Sequence, residues 1–271
     1  MGSYRDDKSL KEGFSMIFNT LGNPASPAVL FFHAMGVTGE SSIPVAEALQ
    51  DHYYCIMPTS TVYCPEQKYI SKQDEIYQIE SFLSTMKIKE LPLVVASSLG
   101  ADLALTFLAQ TRLKVDHVYF DGGQFAQINS ILRHIMTPFL YLGIKSLYWS
   151  KGNTLKHILW CDDEQIKPYF IDAGKNLTYG NLHRQMKDSV INKPFPSLPV
   201  DLQQHTYWEF GSIEDHYKYR DNVIKSYPHG HFPVFDQYNH MQYQIRDPQG
   251  FADMLLYLID HDCLPDLPFL K

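Results

Sequence analysis

The stretch "VVASSLGADLAL", residues 94–105, decides the fold of this chain. It joins an apolar run, typical of a strand buried on both faces, to an alanine-rich helical pattern. Two serines stand at the junction, between Ala96 and Gly100. Such a junction is either a capped helix start or a sharp turn that exposes one serine hydroxyl. In the second case the pattern small-x-Ser-x-Gly selects Ser98 as the exposed residue, and the remaining chain has to decide between the two.

Short apolar runs alternate with helical patterns on the amino-terminal side. The runs that predict strands are 28–34, 53–60, 91–97 and 115–123. We expect the second of them to break at Pro58, because proline cannot donate to a strand ladder. The alternation of strand and helix is typical of a parallel sheet that helices cover on both faces.

The alternation stops after residue 123 and resumes near residue 203. In between, the chain has helical patterns with many aromatic residues, and afterwards strand patterns return at 205–211 and 231–237 before a final helix over 247–261. This arrangement predicts one α/β core domain, made of 1–123 and 203–271, with a helical cap inserted at 124–202.

Composition and charge narrow the function classes. The net charge of −7 gives no basic face for nucleic acid, so no nucleic-acid partner is expected. No apolar run reaches the ~18 residues of a membrane span, and the polar amino terminus resembles neither a signal peptide nor an anchor. The four scattered cysteines indicate free thiols in a reducing compartment, and we expect a cytoplasmic protein.

A second motif could complete a site around Ser98. The motif "FFHAMG", residues 31–36, lies at the end of the strand at 28–34 and contains His33. Such a turn can aim the main-chain N–H of Met35 at the space above Ser98. Together with the N–H of Leu99, at the start of the next helix, it would form an oxyanion hole with two donors.

The chain has twelve histidines, so position must select a general base. In open α/β sheets ligands bind beyond the carboxyl ends of the strands, and His240 directly follows the last predicted strand. His216 is the serious rival, since it follows the preceding strand unit. Other histidines lie before the last strand, inside a turn or inside a strand, where we expect other roles: His229, His231, His33 and His117.

The acid that orients the base should follow the strand at 205–211. Glu214 and Asp215 both come after Gly211, and a spacing of three residues from that glycine favours Glu214. Asp121, after the fourth strand, is a third candidate. Ser98, the acid and His240 then occur in the chain order typical of a catalytic triad laid on such a sheet.

The motifs "HAMG", "ASSLG", "FGSIED" and "YNHMQYQIRDPQGF" together resemble the α/β-hydrolase superfamily across nearly the whole chain. The resemblance implies an α/β-hydrolase fold, a mostly parallel sheet flanked by helices with a helical cap. It implies Ser98 as nucleophile, Glu214 as acid, His240 as base, and Met35 and Leu99 as oxyanion donors, with no metal or organic cofactor. Ala34 and Ala96 replace the glycines more usual in that family, and only "FSMIFNTLG" precedes the first buried strand. Haloalkane dehalogenases carry Asp at the nucleophile position, so Ser98 argues against that branch.

The expected function is hydrolysis of an ester-type bond (carboxylic ester, thioester or amide) in a small or medium acyl substrate, through an acyl-enzyme. C–C bond hydrolysis or acyl transfer on the same triad remains open, as does a non-catalytic ligand receptor on the same fold. The natural substrate and the oligomeric state do not follow from the sequence. The cap's aromatic residues could line an acyl pocket, although for most of them the core of the cap is the better expectation: Phe139, Tyr141, Tyr148, Trp149 and Trp160.

Overall fold

The computed structural model describes residues 13–123, 129–158, 161, 163–189 and 194–271. The described residues form a sheet of seven strands in the order β1-β3-β2-β4-β5-β6-β7, in which β1 runs antiparallel to β3 and the other pairs are parallel. The strands are β1 (Ile17–Leu21), β2 (Ala28–Phe32), β3 (Tyr54–Thr59), β4 (Glu90–Ser97), β5 (Lys114–Asp121), β6 (Thr206–Gly211) and β7 (Val234–Phe235).

Helices cover both faces of the sheet, and several of them lie between β5 and β6 in the chain. They are α1 (Ile43–Leu49), α2 (Lys72–Thr85), α3 (Gly100–Leu108), α4 (Ser130–Trp149), α5 (Leu155–Ile158), α6 (Lys167–Asn176), α7 (Tyr179–Asp188), α8 (Val200–Gln204), α9 (Arg220–Ser226), α10 (Gln242–Arg246) and α11 (Pro248–His261). Among the described residues, no helix has both the length and the apolarity to cross a bilayer.

The continuous apolar runs explain the parallel sheet. All five residues of β2 are buried, and alternate side chains enter two different cores. Leu30 and Phe32 pack in a cluster with α2 and α3, whereas Val29 and Phe31 pack in a cluster with α1 and α11. A strand with both faces buried needs apolar residues at every position, which is the pattern of this sequence. The predicted fold class is therefore confirmed.

Two strand predictions need correction. β3 continues through Pro58 to Thr59, because Pro58 lies beyond the residues that pair with β2 and faces Phe18 of the antiparallel edge strand. The last strand is shorter than 231–237. Its strand residues are Val234–Phe235, with an isolated bridge at His231, because the intervening Pro233 has no N–H to donate to the ladder.

The helices α4 to α7 pack over the carboxyl edge of the sheet. On α4, Ile144 and Leu147 are buried against turns that follow the strands. A separate stripe on the same helix is exposed, and it comprises Ile131, Ile135, Phe139, Leu142 and Trp149.

This exposed stripe contradicts part of the expectation for the aromatic residues of the cap. Phe139 is 71% and Trp149 62% exposed, so neither is enclosed in a pocket or in the core of the cap. Tyr148 is also partly exposed, whereas Tyr141 packs edge-on against Tyr179. Trp160 lies outside the described residues. The helical period indicates which residues share a face of the helix. It does not indicate which face another element of the protein covers.

Candidate active site

The turn between β4 and α3 presents the Ser98 side chain. Ser98 has φ of 51°, in the left-handed region that a side chain other than glycine seldom adopts. The helix begins immediately afterwards at Gly100, where a Cβ would lie 2.4 Å from the carbonyl oxygen of Phe32. Glycine thus allows α3 to start against the end of β2. The Ser98 N–H donates to the Asp121 carbonyl at 3.0 Å and fixes the turn against β5.

The two adjacent serines have different partners. The hydroxyl of Ser97, the last residue of β4, accepts a hydrogen bond from Gln244 Nε2 at 3.0 Å. Ser98 Oγ lies 2.9 Å from Nε2 of His240. Only Ser98 therefore contacts a histidine that can remove its proton.

A tight loop after β7 carries His240 to this position. The loop passes directly over the end of β6, where a Cβ on Gly211 would lie 2.3 Å from the Tyr238 carbonyl oxygen. The His240 N–H donates to Asn239 Oδ1 at 2.8 Å, and Met241 has φ of 56°. The glycine that ends β6 is thus required for the close approach of the histidine loop.

Glu214 completes a hydrogen-bonded chain of three side chains. Its Oε2 lies 2.7 Å from His240 Nδ1, and its side chain is 0% exposed. With Nδ1–H donating to this carboxylate, Nε2 carries the lone pair that can accept the Ser98 proton. Of the other two candidate acids, Asp215 is exposed and Asp121 is buried beneath the histidine.

His216, the rival base, packs against the ring of His240 with centroids 5.0 Å apart. Burial, followed by the charge of His240, lowers the pKa of His216 to about 4. A histidine that remains neutral beside His240 forms part of its packing surface. The side chain that faces Ser98 belongs to His240, not to His216.

The turn after β2 is held by three hydrogen bonds. His33 donates from Nδ1 to the Ala34 carbonyl at 2.8 Å and accepts the Ser60 N–H at Nε2 at 3.0 Å. Burial lowers the pKa of His33 to about 4, although the bond to Ala34 opposes this shift, so the ring stays neutral. The Gly36 N–H donates to Tyr63 Oη at 2.8 Å.

The two residues expected to supply oxyanion donors line one cavity. Met35 and Leu99 both lie in the wall of a space of about 40 Å³ beside the Ser98 turn. An ion pair between Lys72 and Asp102, 2.7 Å long and nearly buried, lies in the same wall. The cavity is therefore lined by both apolar and charged side chains.

Sequence reasoning missed a second acid beneath the site. Asp121 and Glu209 are register partners on β5 and β6, and both are buried. Burial raises the pKa of Asp121 to about 6, and burial together with the charge of Asp121 raises the pKa of Glu209 well above its ordinary value. The signal in the sequence was an acid inside each of two apolar runs, "YFD" and "WEF". Two carboxyls this close under His240 hold fewer than two negative charges at neutral pH.

Neither protein-family models nor curated protein sequences give a match to this chain. Solved structures do. An alpha/beta hydrolase family protein from Desulfitobacterium hafniense is similar with a TM-score of 0.68 at 14% identity, covering 90% of this chain and all (100%) of that one.

Two further structures are similar to the same extent. A carboxylesterase structure from Nitrososphaera gargenis has a TM-score of 0.68 at 16% identity, over 92% of this chain and 96% of that chain. E-2-(acetamidomethylene)succinate hydrolase has a TM-score of 0.67 at 14% identity, over 90% and 95%. At such low identity the likeness shows the fold, and the chain has the α/β-hydrolase fold.

Proposed function

We propose that this protein is a serine hydrolase that cleaves an ester-type bond in a small or medium acyl substrate. The observation that carries the proposal is the continuous chain of hydrogen bonds from Glu214 through His240 to Ser98, with lengths of 2.7 and 2.9 Å. A buried carboxylate, an oriented imidazole and a hydroxyl on a strained turn are the parts that nucleophilic acyl transfer requires. The α/β-hydrolase fold supports this proposal, since carboxylesterases are among its structural neighbours.

In the acylation step, His240 Nε2 takes the proton of Ser98 as Oγ attacks the substrate carbonyl. Glu214 stabilises the imidazolium that forms and keeps Nδ1–H directed at its own carboxylate. His240 then gives the proton to the leaving group as the bond to the acyl carbon breaks, which leaves an acyl group on Ser98. Water, activated by the same imidazole, attacks that acyl group and restores the serine.

We assign the main-chain N–H groups of Met35 and Leu99 to the oxyanion. Leu99 is the residue before the first turn of α3, where the helix dipole favours a developing negative charge. The hydrogen bond between His33 and Ser60 and the one between Gly36 and Tyr63 hold the turn that contains Met35. The Gly36 N–H already donates to Tyr63. Met35 is therefore the donor that this turn offers.

The segment 124–202 serves as the cap in this proposal. Its helices contribute Ile144, Leu182 and Met186 to a cluster that also contains Leu99, next to the nucleophile. Such a cover excludes water from one side of the site and limits the size of the acyl group. We also propose a cytoplasmic location, because all four cysteines are free thiols and three of them are buried.

Labelling with a fluorophosphonate probe tests the proposal. We expect the probe to add to Ser98, identified by mass spectrometry of the labelled peptide, and Ser97→Ala protein to label equally well. A panel of p-nitrophenyl esters of increasing chain length then measures the acyl preference. Resistance of the folded wild-type protein to the probe, together with no turnover across the panel, would instead support a ligand receptor on this fold. Labelling without ester turnover would point to C–C bond hydrolysis or acyl transfer.

A further inference from the structure

A second cluster of titratable side chains lies at the amino edge of the sheet, away from Ser98. His117 is on β5, four residues before Asp121, which corresponds to about 13 Å along a strand. His205 immediately precedes β6, and Asp262 immediately follows α11. Three distant parts of the sequence therefore meet at a place that the proposed reaction does not use.

The side chains converge on one point. His117 Nε2 lies 3.0 Å and His205 Nδ1 2.7 Å from the same oxygen, Oδ1 of Asp262. One nitrogen from each ring and a carboxylate oxygen all lie within 4.8 Å of one another. Elsewhere in the described residues no other group of three histidine, cysteine or acidic side chains meets this criterion.

Neighbouring groups hold two of these residues in place. The other ring nitrogen of His117, Nδ1, lies 3.3 Å from the Pro92 carbonyl oxygen, the type of outer contact that orients a metal-binding imidazole. Tyr207 Oη donates to the main-chain carbonyl of Asp262 at 3.0 Å, which fixes the residue at the end of α11. The carboxyl end of a helix of 14 residues also carries partial negative charge, which favours a cation.

We propose that His117, His205 and Asp262 form a binding site for a divalent transition-metal cation, with Zn²⁺ as the best fit. Two imidazole nitrogens and one carboxylate oxygen are typical zinc ligands, whereas Mg²⁺ and Ca²⁺ prefer oxygen ligands alone. The cation takes the place of the protons between the rings and the carboxylate, and each coordinating nitrogen that carries a proton releases it to solvent. Water fills the remaining coordination positions.

The geometry needs little adjustment to accept the ion. Ligand atoms of a tetrahedral zinc site with bonds of 2.0–2.1 Å lie about 3.4 Å apart. The Asp262 side chain is 55% exposed and the His205 side chain 41%, so both can rotate, while the nearly buried His117 stays in place. The same exposure gives the ion a path from solvent.

The site joins β5, the start of β6 and the end of α11, so the bound cation stabilises the packing of the last helix on the sheet. It lies too far from Ser98 to contact the substrate. Binding to the native state alone raises apparent stability with cation concentration, since the unfolded chain does not bring the three ligands together.

Isothermal titration of the full-length protein with Zn²⁺ at pH 7 tests the proposal, and Co²⁺ absorption in the visible region reports on the ligands. We expect one saturable site in the wild type. In His205→Ala and Asp262→Asn, which change exposed residues, Kd should rise by about tenfold or more. The thermal midpoint should increase with Zn²⁺ in the wild type and not in these two variants.

Two control variants separate this site from other metal-binding groups. His134→Ala changes another histidine pair, since His134 and His183 have ring centroids 5.3 Å apart but belong to no described three-ligand group. Cys263→Ser removes the exposed thiol next to Asp262. Both should keep wild-type affinity. Equal affinity in all five proteins, or no saturable binding to the wild type, would show that the cluster is only a hydrogen-bonded network.

Discussion

Two carboxylates in this molecule each accept a hydrogen bond of 2.7 Å from a histidine, at opposite edges of one sheet. At the carboxyl edge, Glu214 is fully buried and contacts the ring of His240, whose second nitrogen faces Ser98. At the amino edge, Asp262 is half-exposed and contacts two rings, His117 and His205. The parts are chemically the same, but the surroundings differ.

The difference shows how environment assigns a role to the same pair of groups. Because the Glu214 side chain is buried, water does not compete with His240 for its carboxylate. One tautomer of His240 and one direction of proton transfer are therefore fixed. Around Asp262 water has access and two nitrogens point at one oxygen, an arrangement that suits an exchangeable cation. If burial, rather than the histidine–carboxylate contact itself, separates the two edges, substitutions at the carboxyl edge should have the larger effects.

The largest effect is expected from the nucleophile at the carboxyl edge. Ser98→Ala should reduce kcat by on the order of 10⁴-fold or more, because the hydroxyl that forms the covalent intermediate is lost. Ser97→Ala is the matched control, and it should stay within about tenfold of the wild type, since the Ser97 hydroxyl hydrogen-bonds to Gln244 and not to His240. Steady-state kinetics with circular dichroism as a folding check gives the result. Activity that survives in Ser98→Ala and disappears in Ser97→Ala would reverse the assignment.

The acid at the same edge should have the next largest effect. Glu214→Gln should lower kcat by about 10³- to 10⁴-fold, because an amide cannot stabilise the imidazolium and favours the wrong tautomer of His240. The exposed neighbour offers the control Asp215→Asn, which should be nearly normal, and Asp121→Asn should have a mild effect. A nearly normal Glu214→Gln enzyme beside a crippled Asp121→Asn one would place the acid on β5 instead.

The sequence alone predicts that Ser98, Glu214 and His240 lie at one edge of the sheet, because each follows a strand and parallel strands end together. The Asp121–Glu209 pair depends on β5 and β6 being neighbours in register, although about 80 residues of chain lie between the two strands. The cluster of His117 with Asp262 depends on where α11 returns to the sheet. Short-range turn signals predict strand ends, whereas strand order and helix docking follow from packing among distant segments.

The close approach at the end of β6 predicts a moderate loss of stability. Gly211→Ala would place a Cβ 2.3 Å from the Tyr238 carbonyl, so the histidine loop must shift at a cost of about 1–3 kcal/mol. We also expect kcat to fall, because the shift moves His240 away from Ser98. Gly143→Ala on α4 is the control, since a Cβ there meets open space and alanine favours the helix by roughly 0.5–1 kcal/mol. Urea unfolding measures the stability of the two variants, and steady-state kinetics measures their kcat. A Gly211→Ala protein as stable and active as the wild type would contradict the packing argument.

Burial of Asp121 should make the stability of the protein depend on pH, an effect that we do not expect from the exposed Asp262. Its pKa is raised by burial to about 6, so the folded state binds a proton more tightly than the unfolded state. The stability that this proton contributes is complete below the ordinary value of 3.8 and is lost as pH rises through 6. Asp121→Asn should therefore match the wild type near pH 4 and become more stable than it by pH 7. The gain has a slope of up to about 1.4 kcal/mol per pH unit. Urea unfolding between pH 4 and 7 measures the stability of both proteins. If the wild type and Asp121→Asn depended on pH in the same way, burial would not raise the pKa of Asp121.

The smallest effect is expected at the amino edge. Without added metal, Asp262→Asn should change the free energy of unfolding by less than about 1 kcal/mol, because water replaces the partners of a half-exposed carboxylate. The kcat should stay within about twofold of the wild type, since Asp262 contacts His117 and His205, whereas the triad lies at the other edge of the sheet. A chelator must be present in both samples, so that the comparison measures the hydrogen bonds alone. Asp262→Asn could instead destabilise the protein, measured with chelator, as strongly as Gly211→Ala does. Exposure would then not explain the different roles of the two carboxylates. The contrast between the two edges would then have to come from the number of histidines that each carboxylate binds.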